Sequence, residues 1–175
     1  KEFQRLTSSA NRVSISAGLV LVRPKFPIMK AAEMAGEALD EYAKSYVDQD
    51  GREKNAIHFL NETVSWNEFD LITQWRDTWK EWLREGYASK SLLYKMYHYH
   101  TLKQEGKLNY KWHSAYHLKR YEERSNKNKR IRIKEMINEL QKLLITSGKN
   151  SRGLTLSITG AKWAELQLRT NNKLK

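Results

Sequence analysis

The sequence has no cysteine in 175 residues, which excludes disulfides and thiolate metal sites and fits a reducing compartment without proving one. It has no apolar run near the roughly 20 residues that span a bilayer, and no apolar signal core at its start. We therefore expect a soluble, cytoplasmic protein with no membrane partner. Local catalytic signatures are missing too. There is no Walker-type glycine loop to cradle phosphates, no Gly-x-Ser-x-Gly elbow to expose a nucleophile, and no carboxylate pair on a strand hairpin to hold two magnesium ions. His113 and His117 stand one helical turn apart, with His98 and His100 nearby, but no glutamate follows the first histidine as in His-Glu-x-x-His. Asp48-Gln49-Asp50-Gly51 lacks the closing glutamate of a calcium loop and reads as a turn. No metal site is expected. The start at Lys1, without an initiator methionine and a few residues before a strand, suggests a fragment of a longer product.

What is present is material for a core and a lopsided charge. Hydrophobic residues make up 39%, including 6 Trp, 9 Tyr and 4 Phe, enough for a core in one or two small domains. The formal net charge is +12. Residues 1–65 balance nine Lys/Arg against nine Asp/Glu, so the whole excess lies in 66–175, with 23 basic and 11 acidic side chains. Within that half, residues 86–134 carry 13 basic and three acidic groups among Tyr94, Tyr97, Tyr99, Tyr110, Trp112, Tyr116 and Tyr121. Lysine and arginine displace counterions from a polyanion while exposed rings stack on bases, so an anionic partner is expected there, RNA ahead of DNA. The plainer alternative is a solvated helical face that happens to be basic. The candidate nucleic-acid or partner contacts are Lys119, Arg120, Arg124, Lys127, Lys129 and Arg130.

Over 13–22, Val13, Ile15, Ala17, Leu19 and Leu21 alternate with Ser14, Ser16, Gly18, Val20 and Val22, the period of a strand with the first set toward the core. The only two prolines, Pro24 and Pro27, end this strand and open a helix near Pro27. Ile28, Ala32, Ala35, Leu39, Tyr42 and Tyr46 then form one helical stripe, broken at 48–51 before a second strand over 56–64. A strand, helix, strand unit of this kind joins parallel or near-parallel strands. Past it the pattern is helical. Ser65 and Glu68 have capping-box spacing, and Phe69, Ile72, Trp75, Trp79 and Trp82 follow as a core stripe to Gly86. Ser89 caps a helix to about Gln104, and Asn109 caps another to about Arg124. Residues 126–130 form a polar, basic linker, and a helix through Ile133, Met136, Ile137, Leu140, Leu143 and Leu144 stops before Gly148. Leu154, Leu156 and Ile158 alternate like a strand, but Trp163, Ala164, Leu166 and Leu168 suit a helix, which we favour for 154–169.

Ser14-Ile15-Ser16-Ala17-Gly18, Pro24-Lys25-Phe26-Pro27-Ile28, Ala31-Ala32-Glu33-Met34-Ala35 through Ala43-Lys44, and Lys54-Asn55-Ala56-Ile57-His58-Phe59 together resemble the second palm domain of the large signature subunit of type III CRISPR-Cas effector complexes, Csm type (III-A). The pair Ala43-Lys44 with Gly51 and Lys54-Asn55 is also similar to the ending of GGDEF nucleotide cyclases. The helical remainder resembles the same subunit's C-terminal domain through Ser91-Leu92-Leu93-Tyr94-Lys95 and Ala161-Lys162-Trp163-Ala164. The fold class implied is α+β: a partial ferredoxin-like palm over 1–65, then an all-α helical bundle over 66–175.

The resemblance implies a share in target-RNA-activated cyclic oligoadenylate synthesis for antiviral defence, with ATP as substrate between two palms and divalent metal, Mg or Mn, held by a Gly-Gly-Asp-Asp hairpin. That motif does not occur in these residues, so the chain alone is expected to hold neither cofactor and to be inactive. The resemblance implies nucleotide contacts at Ser14, Ser16 and Gly18 on the strand, Ser16 foremost, and at Lys44, which would offset triphosphate charge. Their plainer readings are tight strand-helix packing and a solvated lysine at a helix C-terminus. The implied partners are the remainder of the large subunit, small helical and RAMP-type subunits, guide RNA and target RNA.

Overall fold

Pro27, at φ −58°, stands at the N-cap of the first helix, where its missing N–H leaves no bond unmade. The computed structural model describes residues 14–47, 51, 54–145 and 152–173, and the chain divides into two compact units, Lys1–Asp70 and Leu71–Lys175. In the first unit the elements are β1 (Ala17–Leu19), α1 (Ile28–Glu37) continuing into a π-helical turn (Ala38–Ala43), β2 (Ala56–Phe59) and β3 (Glu62–Ser65). The sheet runs β1-β2-β3. β1 and β2 pair in parallel, with Ala17 opposite Ile57 and Leu19 opposite Phe59, while β2 and β3 pair antiparallel, with Ile57 opposite Val64.

Three expectations change in this unit. The strand expected over 13–22 is ordered as strand only at Ala17–Leu19, and Val13 lies outside the described residues. Its faces are also reversed. Ile15, Leu19 and Leu21 are 41%, 48% and 63% exposed, whereas Gly18 meets the helix so closely that a Cβ there would stand 2.5 Å from Leu39 N and 2.8 Å from Ala35 O. A period of two reports alternation but not which face is covered, and the covering helix demanded the small residues. The stripe on the helix shifts for a related reason. Ile28 and Tyr42 are exposed while Ala38 and Ala43 are buried. Two alanines five residues apart share the buried side because the π turn pairs i with i+5, as Lys44 N–H does in donating to Leu39 O at 2.9 Å. Finally, 56–64 is a hairpin, not one strand. Leu60 and Asn61 sit at φ 52° and 66°, the two left-handed residues of a tight hairpin turn, and only Asn61 has a side chain that favours that conformation. The turn expected at 48–51 has residues 48–50 outside the described residues, leaving Gly51 at φ 75°.

Helix α2 (Trp66–Arg84) opens on the expected capping box: Glu68 N–H donates to Ser65 Oγ at 3.3 Å, and Ser65 N–H donates to Glu68 Oε2 at 3.0 Å. Its first turn belongs to the first unit, where Phe69 packs edge-on to Phe59 and Trp66 Nε1–H donates to Ile15 O at 2.8 Å. Within the second unit the rest of α2 is joined by α3 (Lys90–Gln104), α4 (Tyr110–Glu123), a 3₁₀ turn (Lys127–Lys129), α5 (Arg130–Ile145) and α6 (Gly153–Lys173). The fold is thus a small mixed sheet with a covering helix, followed by a helical bundle. Ser89 Oγ caps α3 by accepting from Leu92 N–H at 3.1 Å. Asn109 occupies the N-cap of α4 without a side-chain bond. The basic linker at 126–130 contains the 3₁₀ turn, which Asn126 starts by accepting from Asn128 N–H at 3.1 Å. No helix among the described residues is long and apolar enough to cross a membrane.

The core of the second unit is built on Trp79, Leu93, Met96, Leu118, Met136, Leu140 and Ile158, all fully buried or nearly so. The tryptophan stripe is core, as its spacing predicts. Trp79 Nε1–H donates to Ser157 Oγ at 3.0 Å, so the one polar atom of the ring is satisfied in the interior. The strand-like alternation of Leu154, Leu156 and Ile158 belongs to a helix because Ser157 among them and Thr159 and Ala161 just after them are buried as well. A helix covered all round shows no stripe to read.

Two expected outcomes follow from this packing. A Cβ on Gly160 would stand 2.7 Å from Trp75 Cβ and 2.8 Å from Ile72 O, whereas Gly36 in α1 has nothing within 4 Å. Gly160→Ala should destabilise by about 1–3 kcal/mol through overpacking, and Gly36→Ala should stabilise by about 0.5–1 kcal/mol, both read by urea denaturation. The second outcome concerns His100, which is 5% exposed and has Nε2 3.0 Å from Thr155 Oγ1. Burial first, then Lys162 and Lys103, pull its pKa down from 6.5 to about 4. The unfolded chain therefore takes up a proton that the folded chain refuses. Stability should be full above about pH 6.5 and fall by on the order of 3 kcal/mol toward pH 4; His100→Gln should flatten that fall in melting curves taken across the range.

Candidate functional site

The first candidate surrounds β1. Gly18 lacks a side chain because the Leu39 backbone occupies that space, so the position is explained by strand-helix packing. Ser16, two residues earlier, shares Gly18's face of the strand. Its Oγ is buried and has no hydrogen-bond partner among the described residues. An orphaned buried hydroxyl is uncommon, and each one calls for an explanation. Ser14 is exposed. Lys44 follows the π turn, and its Nζ lies 2.6 Å from Asp40 Oδ1 in a pair that is 49% and 62% exposed. The fold thus sets Ser16 and Gly18 against the helix and leaves Lys44 outside, at the helix C-terminal end. β2 enters through Lys54 and Asn55, both left-handed at φ 64° and 56°, with Lys54 N–H donating to Tyr46 O at 2.8 Å. His58 stacks on Tyr42 with centroids 4.6 Å apart, has Nδ1 2.8 Å from Thr63 Oγ1, and is held below the usual histidine range by burial.

The second candidate lies wholly in the helical unit. All six basic contact residues are exposed. Arg120, Arg124 and Lys129 line a cavity of about 510 Å³. Lys119 instead joins Arg120, Arg124, Tyr116 and Glu123 around a second cavity, on α4, and Lys127 and Arg130 line neither. The structure adds Lys95 and His117 to the first cavity, the two being 3.4 Å apart between Nζ and Nδ1. The pattern that locates them is helical spacing: Ser91 and Lys95 are one turn apart on α3, and His117, Arg120 and Arg124 share one stripe of α4.

The aromatic expectation needs correction. Of the seven rings expected to be exposed, Tyr99 and Tyr110 are buried, their hydroxyls donating to His113 O at 3.4 Å and Leu144 O at 3.3 Å. Tyr97 and Tyr121 pack partly against the core. The Tyr121 hydroxyl donates to Tyr87 O and accepts from Ser89 N–H, and burial together with Glu165 raises Tyr97. Tyr94, Trp112 and Tyr116 remain exposed. Tyrosines with a buried ring and a satisfied hydroxyl look no different in sequence from exposed ones. No group of three or more His, Cys, Asp or Glu side chains among the described residues is placed to hold a metal ion.

The Ser16 hydroxyl also sets a stability test. Because it makes no bond that the folded state would lose, Ser16→Ala should leave stability unchanged or raise it by up to about 1 kcal/mol. A loss larger than that in chemical denaturation would show that the Oγ has a partner after all.

Residues 1–58 match the family model for Cas10/Cmr2, second palm domain. Searches of curated proteins and of solved structures gave no match. The matched residues are about a third of the chain and stop within β2, so β3 and the helical unit lie beyond them. The similarity to the Cas10/Cmr2 second palm domain is confined to this region.

Proposed function

We propose that the chain is the C-terminal portion of a type III effector large subunit, Csm type, and that its palm supplies one wall of a nucleotide pocket for target-RNA-activated cyclic oligoadenylate synthesis. The observation that carries this reading is the unpartnered Ser16 hydroxyl, buried just before β1 inside the region matching the Cas10/Cmr2 second palm. A bound ATP would supply the attacking 3′-hydroxyl and the α-phosphate. Ser16 Oγ has the free hydrogen-bonding capacity to fix part of that nucleotide. Lys44 is tied only to an exposed carboxylate, an interaction worth about 0–1 kcal/mol, so its ammonium can turn to a triphosphate and offset charge there. The divalent metal does not fit the described residues, among which no group of three or more His, Asp or Glu side chains gathers into a ligand set. No metal-dependent step is therefore assigned to them, and this chain's contribution is binding and orientation.

The helical unit serves assembly in this reading, docking RNA and the small helical and RAMP-type subunits in the cytoplasm. Its charge supports that role over a plain solvated face, because the cavity cations lack carboxylate partners among the described residues. In the full-length subunit, Lys44→Ala should cut oligoadenylate formation from ATP about tenfold or more, through loss of a charge-assisted phosphate contact, while complex assembly stays intact. Unchanged product formation with normal assembly would remove Lys44 from the mechanism.

A further inference from the structure

The cavity of about 510 Å³ in the helical unit is lined by Lys95, His117, Arg120, Arg124 and Lys129 and by no carboxylate. The hydroxyls of Ser91 and Ser125 and the Asn126 side chain add polar groups at the same wall. Elsewhere in this unit exposed cations do find carboxylates, as in Arg132–Glu135 at 3.1 Å, Arg169–Glu165 at 2.6 Å and Lys107–Glu105 at 2.6 Å. Three of the four cavity cations are held by neutral groups instead. Lys95 Nζ faces His117 Nδ1, Arg120 donates to the Tyr116 hydroxyl at 2.6 Å, and Lys129 donates to Glu85 O and lies 5.6 Å from the Tyr87 ring centroid. Four permanent cations around one space repel one another, and a bound anion would relieve that repulsion.

Beside the cavity, α4 carries a second feature that packing does not explain. Trp112 is 82% and Tyr116 57% exposed, and with Arg120 they recur every four residues, about 6 Å apart along the helix axis. The Arg120 guanidinium carbon lies 5.9 Å from the Tyr116 ring centroid. Exposed rings leading to a cationic cavity form a stacking platform with a phosphate seat at its end.

We propose that this face binds single-stranded nucleic acid, one backbone phosphate sitting among Lys95, Arg120 and Arg124 while neighbouring bases stack on Tyr116 and Trp112. The inference deepens the reading of the helical unit as a docking module and is independent of the palm, whose residues it does not use. An acidic protein segment would satisfy the cations but would need an aromatic side chain of its own to cover Trp112, whereas every base of a nucleic acid brings a ring. The position of His117 agrees with an anion seat. Burial, then Lys95, His113 and Arg120, hold its pKa below the ordinary value, and a bound phosphate would offset the positive contributions.

The test is fluorescence anisotropy of the 175-residue protein with a labelled single-stranded RNA of about 12 nucleotides, titrated across salt. Lys95→Gln with Arg124→Gln should weaken binding about tenfold or more and reduce the slope of log K against log salt by about 0.7, the share of the one phosphate neutralised there on a single strand. Trp112→Ala should weaken binding about fivefold or more with the slope unchanged. Lys95→Arg should restore most of the Lys95→Gln loss, and Lys107→Gln and Arg132→Gln should stay within about twofold of wild type. All the altered side chains are exposed, and melting curves verify that each variant folds. The proposal is overturned if the cavity variants behave like the Lys107 and Arg132 controls. It is also overturned if Trp112→Ala has no effect while an acidic peptide of equal charge displaces the RNA equally well, which points to a protein partner. Displacement of the RNA by inorganic phosphate beyond its effect on ionic strength would reassign the cavity to a small free anion.

Discussion

The helical unit depends on one close approach, that of α2 and α6 at Gly160. Without a side chain at that position the two backbones come near enough for Trp79 to be fully buried and to spend its indole N–H on Ser157. Arg76, one turn before Lys80 on the same helix, lies 4.4 Å from the Trp163 ring centroid, so the contact is sealed on its wet side by a cation–π pair. Buried positions on α3, α4 and α5 then fill in around this pair. With the interior supplied by aliphatic and aromatic groups, Lys95 on α3 and Lys119 and Arg120 on α4 remain on the surface.

The palm unit uses the same device in a different setting. Gly18 lets β1 lie against the helix backbone, and the π turn answers by inserting one residue, so that Ala38 and Ala43 face the sheet together. Between these constraints the Ser16 hydroxyl is buried without a partner. The first unit therefore keeps its orphaned hydroxyl where packing is tight, and the helical unit keeps its cavity-lining cations at the surface.

Legibility in the sequence follows from what each signal measures. Capping signals were legible at Ser65-Glu68 and Ser89 because a cap is a local bond between residues three apart. The tryptophan stripe of α2 was legible because a helix with one wet face keeps its period. Strand faces were not: Ile15 and Leu21 alternate correctly but point away from the covering helix, and a period of two has no sign. The π turn was hidden because one inserted residue changes the phase of the stripe and leaves composition untouched. The hairpin at Leu60-Asn61 was hidden because leucine gives no sign of a left-handed backbone.

By itself the sequence determined the composition of the two halves: a neutral one with strand, proline, helix and strand, and a basic, aromatic one with repeated helical stripes. It also determined the residues through which the first half resembles the Cas10 palm, since those are matters of identity and spacing. Only the tertiary structure decided which members of each pattern are available. It buried Tyr99 and Tyr110 and left Trp112 and Tyr116 in solvent, and it brought Lys95 from one helix to His117 and Arg120 on another. The physical reason is that exposure and charge clustering depend on contacts between residues distant in the chain, while spacing along one helix reports only which side chains share a face.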